Sequence, residues 1–125
     1  MIYVIATLEL APGTRAAFLA EFAKVVPLVH GEQGCIEYLP IVDADTDIAS
    51  QHRMGPDSVT IVEKWASVAA LRAHDTSAHM QAYRARVKEY LRGREIRIMR
   101  AAPENGPWSD PHATRQFLSG DYTGG

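Results

Sequence analysis

The sequence lacks most features that mark secreted, membrane-spanning or nucleic-acid-binding proteins. Its single cysteine, Cys35, excludes an internal disulfide and agrees with a reducing cytoplasm, the location we predict. No segment approaches the roughly 20 apolar residues that cross a bilayer, and the opening MIYVIATLEL has no basic leader of the kind that signal peptides carry. A formal net charge of −2, without a run of Lys or Arg, gives no basic face for nucleic acid.

The motifs of several common enzyme classes are missing as well. There is no glycine-rich phosphate loop and no GxSxG nucleophile elbow, and nothing marks Cys35 as an activated thiol. A metal site built from His52, His74 and His79 would need ligands at irregular spacing, which is a weak signal. The sequence therefore predicts no phosphate-binding, acyl-transfer or metal chemistry.

The 125 residues, 46% of them hydrophobic, are enough for one domain with a modest core. Residues 2–10 alternate as a strand that is apolar on one side and partly apolar on the other. Pro12 and Gly13 end this strand, and Thr14 is a candidate helix N-cap. The buried stripe of the following helix is predicted from apolar residues at helical spacing: Phe18, Leu19, Phe22, Val25, Val26 and Val29.

The middle of the chain contains a strand and then a long polar connection. Residues 35–42 are predicted as a strand, and Pro40 requires that it lie at a sheet edge or contain a bulge, because proline cannot donate a ladder hydrogen bond. The connection formed by residues 43–57 is too long for a plain hairpin. We expect it either to be a mobile flap or to carry an extra short strand.

The second half predicts a strand, two short helices and a final strand. Residues 59–66 alternate, and Ser67 offers an N-cap for the first helix. A second cap signal at Ser77 predicts that the helix restarts there, and Gly93 is expected to end it before a last strand over residues 95–100. This element order predicts the α+β class, as a ferredoxin-like βαββαβ sandwich.

Apolar residues on both sides of the strands predict a second layer over the sheet. Helices cover one face in this fold, and a second copy of the same sheet is the simplest cover for the other. We therefore expect a homodimer whose domain spans residues 1–101. Residues 102–125 lack periodicity but carry Trp108, Phe117 and Tyr122, so we predict an arm that docks on the dimer partner.

Residues 63–83 hold most of the side chains that could carry chemistry. They include a carboxylate, an indole, two imidazoles and a phenol: Glu63, Trp65, His74, His79 and Tyr83. His79 and Tyr83 share a helix face, whereas His74 and His79 converge only if the helix is interrupted between them. Glu63 lies on an apolar side of its strand, so its carboxyl either has a raised pKa or pairs with an arginine of its own or a partner chain.

This combination resembles the antibiotic biosynthesis monooxygenase family, and within it the bacterial quinol monooxygenase branch. The pattern comprises the VIATLEL strand, the PGTRAAFLAEF helix start, the Gly34-Cys35 turn before Tyr38, and Glu63-x-Trp65 followed by His74 and His79. The resemblance covers about residues 1–101. It implies a dimeric α+β barrel of two ferredoxin-like units, the fold that the element order also predicts.

The resemblance implies an enzyme that oxidises a quinol or similar electron-rich aromatic with molecular oxygen, without a cofactor. A deprotonated hydroquinone can itself reduce oxygen, so the protein needs to remove a proton, orient the ring and exclude water. Since histidine titrates near neutral pH, His74 or His79 is the expected proton acceptor. The expected substrate-binding residues are Tyr38, His52, Met54, Glu63, Trp65 and Tyr83, with His52 and Met54 as a gate in the long loop.

Other functions are compatible with the same sequence. A non-catalytic dimer could bind a small aromatic or quinone without turnover. The same fold supports isomerisation or cyclisation, and a haem-degrading oxygenase would need an axial histidine, for which His79 is the candidate. Trp65, Tyr38 and Tyr83 also fit ordinary core positions. The sequence leaves these alternatives open.

Overall fold

A computed structural model describes residues 1–109 as a four-stranded antiparallel sheet with three α-helices on one face. The elements are β1 Ile2–Leu10, α1 Arg15–His30, β2 Cys35–Ile41, β3 Ser58–Trp65, α2 Val68–Asp75, α3 Ala78–Val87 and β4 Leu91–Met99, with 3₁₀ turns at Lys88–Tyr90 and Pro107–Ser109. The strand order is β2-β3-β1-β4. Element order and strand order together confirm the predicted α+β ferredoxin-like unit.

The core lies between α1 and the helix-facing side of the two central strands. Alternate residues of β1 are buried, as the alternation predicts, and the fully buried face of α1 consists of Phe18, Phe22, Val25 and Val29. The Thr14 hydroxyl donates to the Ala11 carbonyl at 2.7 Å and makes no cap bond to the helix. Burial of the apolar stripe, rather than capping, therefore holds the start of α1.

An aromatic cluster joins α1 to the sheet and to α3. The Phe22 ring stacks on Tyr38 of β2, with centroids 5.3 Å apart and planes at 13°. It also meets Tyr83 of α3 edge-on at 6.0 Å. Such pairs add to the free energy of apolar burial and fix ring orientation. Helix α1 thus sets the positions of two phenols that belong to the candidate site.

The end of α3 differs from the sequence prediction. The helix stops at Val87, and β4 begins at Leu91, whereas we expected Gly93 to terminate the helix. Gly93 instead lies within β4 opposite Glu9, beside a register shift in the β1–β4 pairing. A Cβ at Gly93 would lie 2.9 Å from the Glu9 carboxylate, so this glycine permits close approach of a neighbouring side chain.

Residues 43–57 contain no strand, which removes the extra-strand alternative. The Asp43 carboxylate crosses the loop and accepts the backbone N–H groups of Met54 and Gly55 at 2.9 and 2.8 Å. These two bonds lower the pKa of Asp43. Arg15 donates to the carbonyls of Gly55 and Ser58, which ties the loop to the start of α1. Pro40 lies in β2, an edge strand, as predicted.

The chain after β4 is described only as far as residue 109. Trp108 is 59% exposed, and its indole donates to the Pro103 carbonyl at 2.9 Å. Phe117 and Tyr122 lie outside the described residues, so docking of the arm on a partner stays a prediction. Within residues 1–109, no helix is both long and apolar enough to span a membrane.

We expect Gly34→Ala to destabilise the protein more than Gly13→Ala. Both glycines have positive φ, 83° and 78°, but a Cβ at Gly34 would lie 2.6 Å from Ala70 of α2, while nothing lies within 4 Å of one at Gly13. Both variants place alanine at a positive φ, so both strain the backbone. Only Gly34→Ala also creates a steric overlap with Ala70, which should lower the free energy of unfolding by a further amount of about 1–3 kcal/mol. Urea unfolding of both variants measures the difference. Equal losses would show that α2 does not depend on this close approach.

Candidate active site

A cavity of about 560 Å³ lies between the helix-facing side of the sheet and helices α2 and α3. This volume is within the range of small-molecule sites. Its walls are largely apolar, with side chains from every strand and both helices, among them Ala6, Leu8, Ile61, Leu71, Met80 and Val87. Such a space suits a ligand with a hydrophobic body.

The cavity opens along β4. Ile96 and Ile98 are 50% and 60% exposed, although they pair with Ala6 and Val4 and so lie on the helix-facing side. The helices leave this edge of the sheet uncovered. Exposed apolar residues grouped at a cavity mouth are typical of ligand entry sites. Sequence alternation alone placed them in a strand without indicating their exposure.

A break between α2 and α3 brings the two histidines close together, with His74 on the cavity wall. Ser67 caps α2 by accepting the Ala70 N–H, and Ser77 caps α3 by accepting the Met80 N–H. His74 lies in the last turn of α2 and His79 in the first turn of α3. The predicted interruption is confirmed, and it turns both imidazoles toward the same carboxylate.

That carboxylate belongs to Glu32, which lies in the turn between α1 and β2. Its Oε2 is 2.7 Å from His74 Nδ1, and His74 is only 4% exposed. Because a carboxylate only accepts, Nδ1 carries the proton in the neutral ring and Nε2 holds the lone pair. His74 is a cavity wall residue, and its Nε2 lies on the side of Glu63, which also lines the cavity.

Three side chains from the sheet surround the His74 ring. The Trp65 ring lies 4.6 Å from it, centroid to centroid, and Tyr38 meets it edge-on at 5.4 Å. His74 Nε2 is 4.0 Å from Glu63 Oε1, which accepts the Trp65 indole N–H at 2.9 Å. These contacts fix the imidazole plane, so His74 is preorganised rather than free to rotate.

Burial raises the pKa of the Glu63 carboxyl, while the Trp65 indole bond and His74 oppose that shift. Within residues 1–109, no arginine of this chain pairs with Glu63. The described residues therefore rule out an arginine of the same chain and favour the raised pKa, while pairing with an arginine of a partner chain stays a prediction.

The two phenols of the site remain protonated. Burial, the largest cause, raises the pKa of both Tyr38 and Tyr83 above the ordinary value of 10.0. Within residues 1–109, the hydrogen-bond partner of the Tyr38 hydroxyl is the Met80 sulfur at 4.0 Å, a weak acceptor. Both tyrosines line the cavity, and a protonated phenol can donate a hydrogen bond to an oxygen of a ligand.

The structure divides the residues predicted from sequence into three groups. Tyr38, Glu63, His74 and Tyr83 line the cavity. Trp65 and His79 are not among the described lining residues. Trp65 is fully buried and packs against the His74 ring, and His79 Nε2 lies 3.4 Å from the Glu32 carboxylate. Both residues therefore contact the residues of the site without lining the cavity.

His52 and Met54 do not lie at this site. Their loop precedes Ser58 at one end of β3, whereas His74 packs on Trp65 at the other end. At about 3.3 Å per residue, seven residues of strand separate the two ends by about 23 Å. Both side chains are exposed, and neither is among the described lining residues of the cavity, so the gate stays a prediction. The distance from His74 removes His52 from the metal-ligand set considered from sequence.

Sequence reasoning missed Glu32. It is 42 positions from His74, and its GEQG surroundings indicate only a turn after a helix. No spacing rule connects it with a histidine on another helix. Its role depends on the turn folding back against the α2–α3 break.

The chain belongs to the antibiotic biosynthesis monooxygenase family, whose model matches residues 1–86. It is 43% identical over 101 residues to the "Probable quinol monooxygenase YgiN" of Escherichia coli K12, covering 79% of this chain and 96% of that protein. A crystal structure from Shewanella oneidensis is similar, with a TM-score of 0.65, 27% identity, and coverage of 78% of this chain and 87% of the other. A crystal structure titled "antibiotic biosynthesis monooxygenase" has a TM-score of 0.67 at 22% identity. The match covers 81% of this chain and 98% of the other, and it supports the assignment of the fold.

We expect Glu63→Gln to gain stability over the wild type as pH rises. A carboxyl whose folded-state pKa is raised binds its proton more tightly when folded. The wild type therefore loses stability as pH rises from the ordinary value of 4.5 through the raised pKa, and the variant avoids this loss while its amide oxygen still accepts the Trp65 indole. Urea unfolding across pH 4 to 8 measures the difference.

Glu37→Gln on β2 is the matched control, because Glu37 is half-exposed beside Lys64. Its stability relative to the wild type is expected to change little over this range. A flat difference between Glu63→Gln and the wild type would refute the raised pKa of Glu63.

Proposed function

We propose that this protein is a cofactor-independent monooxygenase that oxidises a quinol or similar electron-rich aromatic, with molecular oxygen as co-substrate. The observation that carries the proposal is His74, a buried imidazole whose Nδ1 is held by Glu32 and which borders an apolar cavity. Membership of the family and the 43% identity to a probable quinol monooxygenase support it. The apolar walls suit an aromatic ring.

In the proposed mechanism, the ring enters past Ile96 and Ile98. His74 Nε2 accepts a proton from one ring hydroxyl, and the Glu32 carboxylate stabilises the imidazolium that forms. Tyr38 and Tyr83, protonated at neutral pH, donate hydrogen bonds that orient the substrate oxygens. The apolar walls limit water around the reacting ring.

The resulting anion is the reductant for oxygen, so no step needs an electron from the protein. One hydroquinone and one O₂ give one hydroxyquinone and one water. One oxygen atom forms a new C–O bond to the ring, the other leaves as water, and the ring supplies all the electrons that O₂ accepts. The substrate thereby replaces the cofactor that most oxygenases need.

We expect His74→Ala to reduce oxygen uptake with a menadiol-type hydroquinone by about 10²–10⁴-fold, the usual contribution of a general base. Glu32→Gln is expected to cause a smaller loss, because it weakens the hydrogen bond that orients His74 without removing the base. Oxygen-electrode rates for purified variants measure both effects. His52→Ala, at the far end of the sheet, is the matched histidine control.

Three outcomes would contradict this proposal. Equal rates for His74→Ala and the wild type would remove the base from the mechanism. Ligand binding without oxygen consumption would indicate a non-catalytic binder instead. With ¹⁸O₂, a product that carries no label would point to isomerisation or cyclisation.

We propose in addition that the protein acts as a homodimer through the sheet face opposite the helices. Ile5 and Val62 pair directly across β1 and β3 on that face, and Leu39 pairs with Val62 from β2. The three α-helices pack on the other face. A second copy of the sheet would bury these side chains and remove apolar area from water.

We expect light scattering to give about twice the chain mass of 13.8 kDa at micromolar concentration. Val62→Asp places a charge at the centre of the proposed interface and is expected to yield monomers. Ile48→Asp makes the same kind of change at a loop residue that is 63% exposed, and should leave the mass unchanged. A monomeric wild type would contradict the dimer.

A further inference from the structure

We propose that Glu32, His74 and His79 form a binding site for a divalent transition-metal ion such as Zn²⁺, and that the bound ion inhibits the oxidation. The three residues are called the ion cluster below. Binding of the ion stands on geometry alone, whereas the inhibition rests on the proposed function of His74.

The ligand atoms of the ion cluster have spacings close to those of a tetrahedral site. Glu32 Oε2 lies 2.7 Å from His74 Nδ1 and 3.4 Å from His79 Nε2, and all three atoms fall within 4.8 Å of one another. Zinc bonds of about 2.0–2.2 Å at tetrahedral angles separate two ligand atoms by about 3.4 Å. The Glu32–His74 pair is shorter than this and must open, as the ion replaces the proton between them.

The ion cluster contains a polar atom with no partner. His79 Nε2 is buried and makes no hydrogen bond to any described residue. Its 3.4 Å approach to Glu32 Oε2 is within ion-pair range, but the direction is unsuitable for a hydrogen bond. Leaving a buried nitrogen unpaired costs free energy, and each such atom in a folded protein calls for an explanation. A metal ion between the imidazole and the carboxylate would satisfy this nitrogen.

Each ligand is held by a different rigid element. The Glu32 N–H donates to the Val29 carbonyl at 3.0 Å, which continues the end of α1 into the turn. Ser77 Oγ donates to the His74 carbonyl at 2.8 Å and caps α3, so one residue fixes the ends of both helices. Little ordering of the chain is therefore needed when an ion binds.

The donor set selects the class of ion. Two imidazole nitrogens and one carboxylate oxygen suit Zn²⁺, Co²⁺ or Fe²⁺, whereas Mg²⁺ and Ca²⁺ prefer oxygen ligands alone. Burial, followed by the nearby Glu32 and Glu63 carboxylates, raises the pKa of the Cys35 thiol. Among the described residues, the atoms that lie within reach of one ion belong to Glu32, His74 and His79, so Cys35 is not counted as a fourth ligand.

An ion on His74 Nδ1 changes which nitrogen carries the ring proton. With Nδ1 coordinated, a neutral imidazole must hold its proton on Nε2. Nε2 is the atom that accepts the substrate proton in the proposed mechanism. Ion binding would therefore leave His74 without the lone pair that the reaction requires.

Titration with CoCl₂, followed by visible absorption, tests the binding itself. We expect the wild type to take up one Co²⁺ and to show the absorption of a site with nitrogen and oxygen ligands. His79→Ala and Glu32→Gln should each weaken Co²⁺ binding by about 10–100-fold or more. Loss of a residue that only hydrogen-bonds a metal ligand already lowers metal affinity by about this factor. His52→Ala and Cys35→Ser are the controls and should bind like the wild type.

Absence of Co²⁺ uptake by the wild type would overturn the site. So would unchanged affinity in His79→Ala and Glu32→Gln, or loss of binding in either control, because the ion would then lie elsewhere. These results need no enzymatic activity, so failure of the proposed oxidation would leave a positive Co²⁺ titration standing.

Zn²⁺ inhibition tests the second half of the proposal. The rate of oxygen uptake with ZnCl₂, divided by the rate without it, is expected to fall strongly for the wild type and to recover with a chelator. The same ratio should stay near one for His79→Ala, whatever its own basal rate. Equal ratios in the two proteins, or saturation with Zn²⁺ without any loss of rate, would refute inhibition through the ion cluster.

Discussion

The candidate site depends on one partly buried hydrogen bond, from His74 Nδ1 to the Glu32 carboxylate at 2.7 Å. Bonds to a charged acceptor are stronger than neutral ones, and low local polarity strengthens them further. This bond joins the turn after α1 to the end of α2 and selects the tautomer of His74. The cavity wall, the orientation of the possible base and the ion cluster follow from it.

The buried Glu63 carboxyl near the imidazole also carries a cost in stability. Glu63 is placed among apolar groups, and burial of its charged form raises its pKa. The Trp65 indole and His74 offset this cost in part. Perturbed ionisable groups collected beside a cavity are typical of functional sites rather than of a core selected only for stability.

Much of the scaffold follows from local patterns. Alternation predicted β1 because one face of that strand is buried, and helical spacing predicted the buried stripe of α1. Pro40 correctly indicated an edge strand, and Ser77 correctly indicated that the helix restarts. The error at Gly93 has a long-range cause. Glycine there accommodates Glu9 from another strand, which no local cap rule can reveal.

The sequence by itself determined the α+β element order, the break between α2 and α3, and the presence of a carboxylate, an indole, phenols and imidazoles near that break. These depend on periodicity, caps and side-chain type, which act over a few residues. Only the tertiary structure decided that Glu32 meets His74, that Trp65 and His79 lie behind the cavity wall, and that His52 is remote. Those outcomes depend on how the α1–β2 turn packs against α2, a contact between segments 42 positions apart.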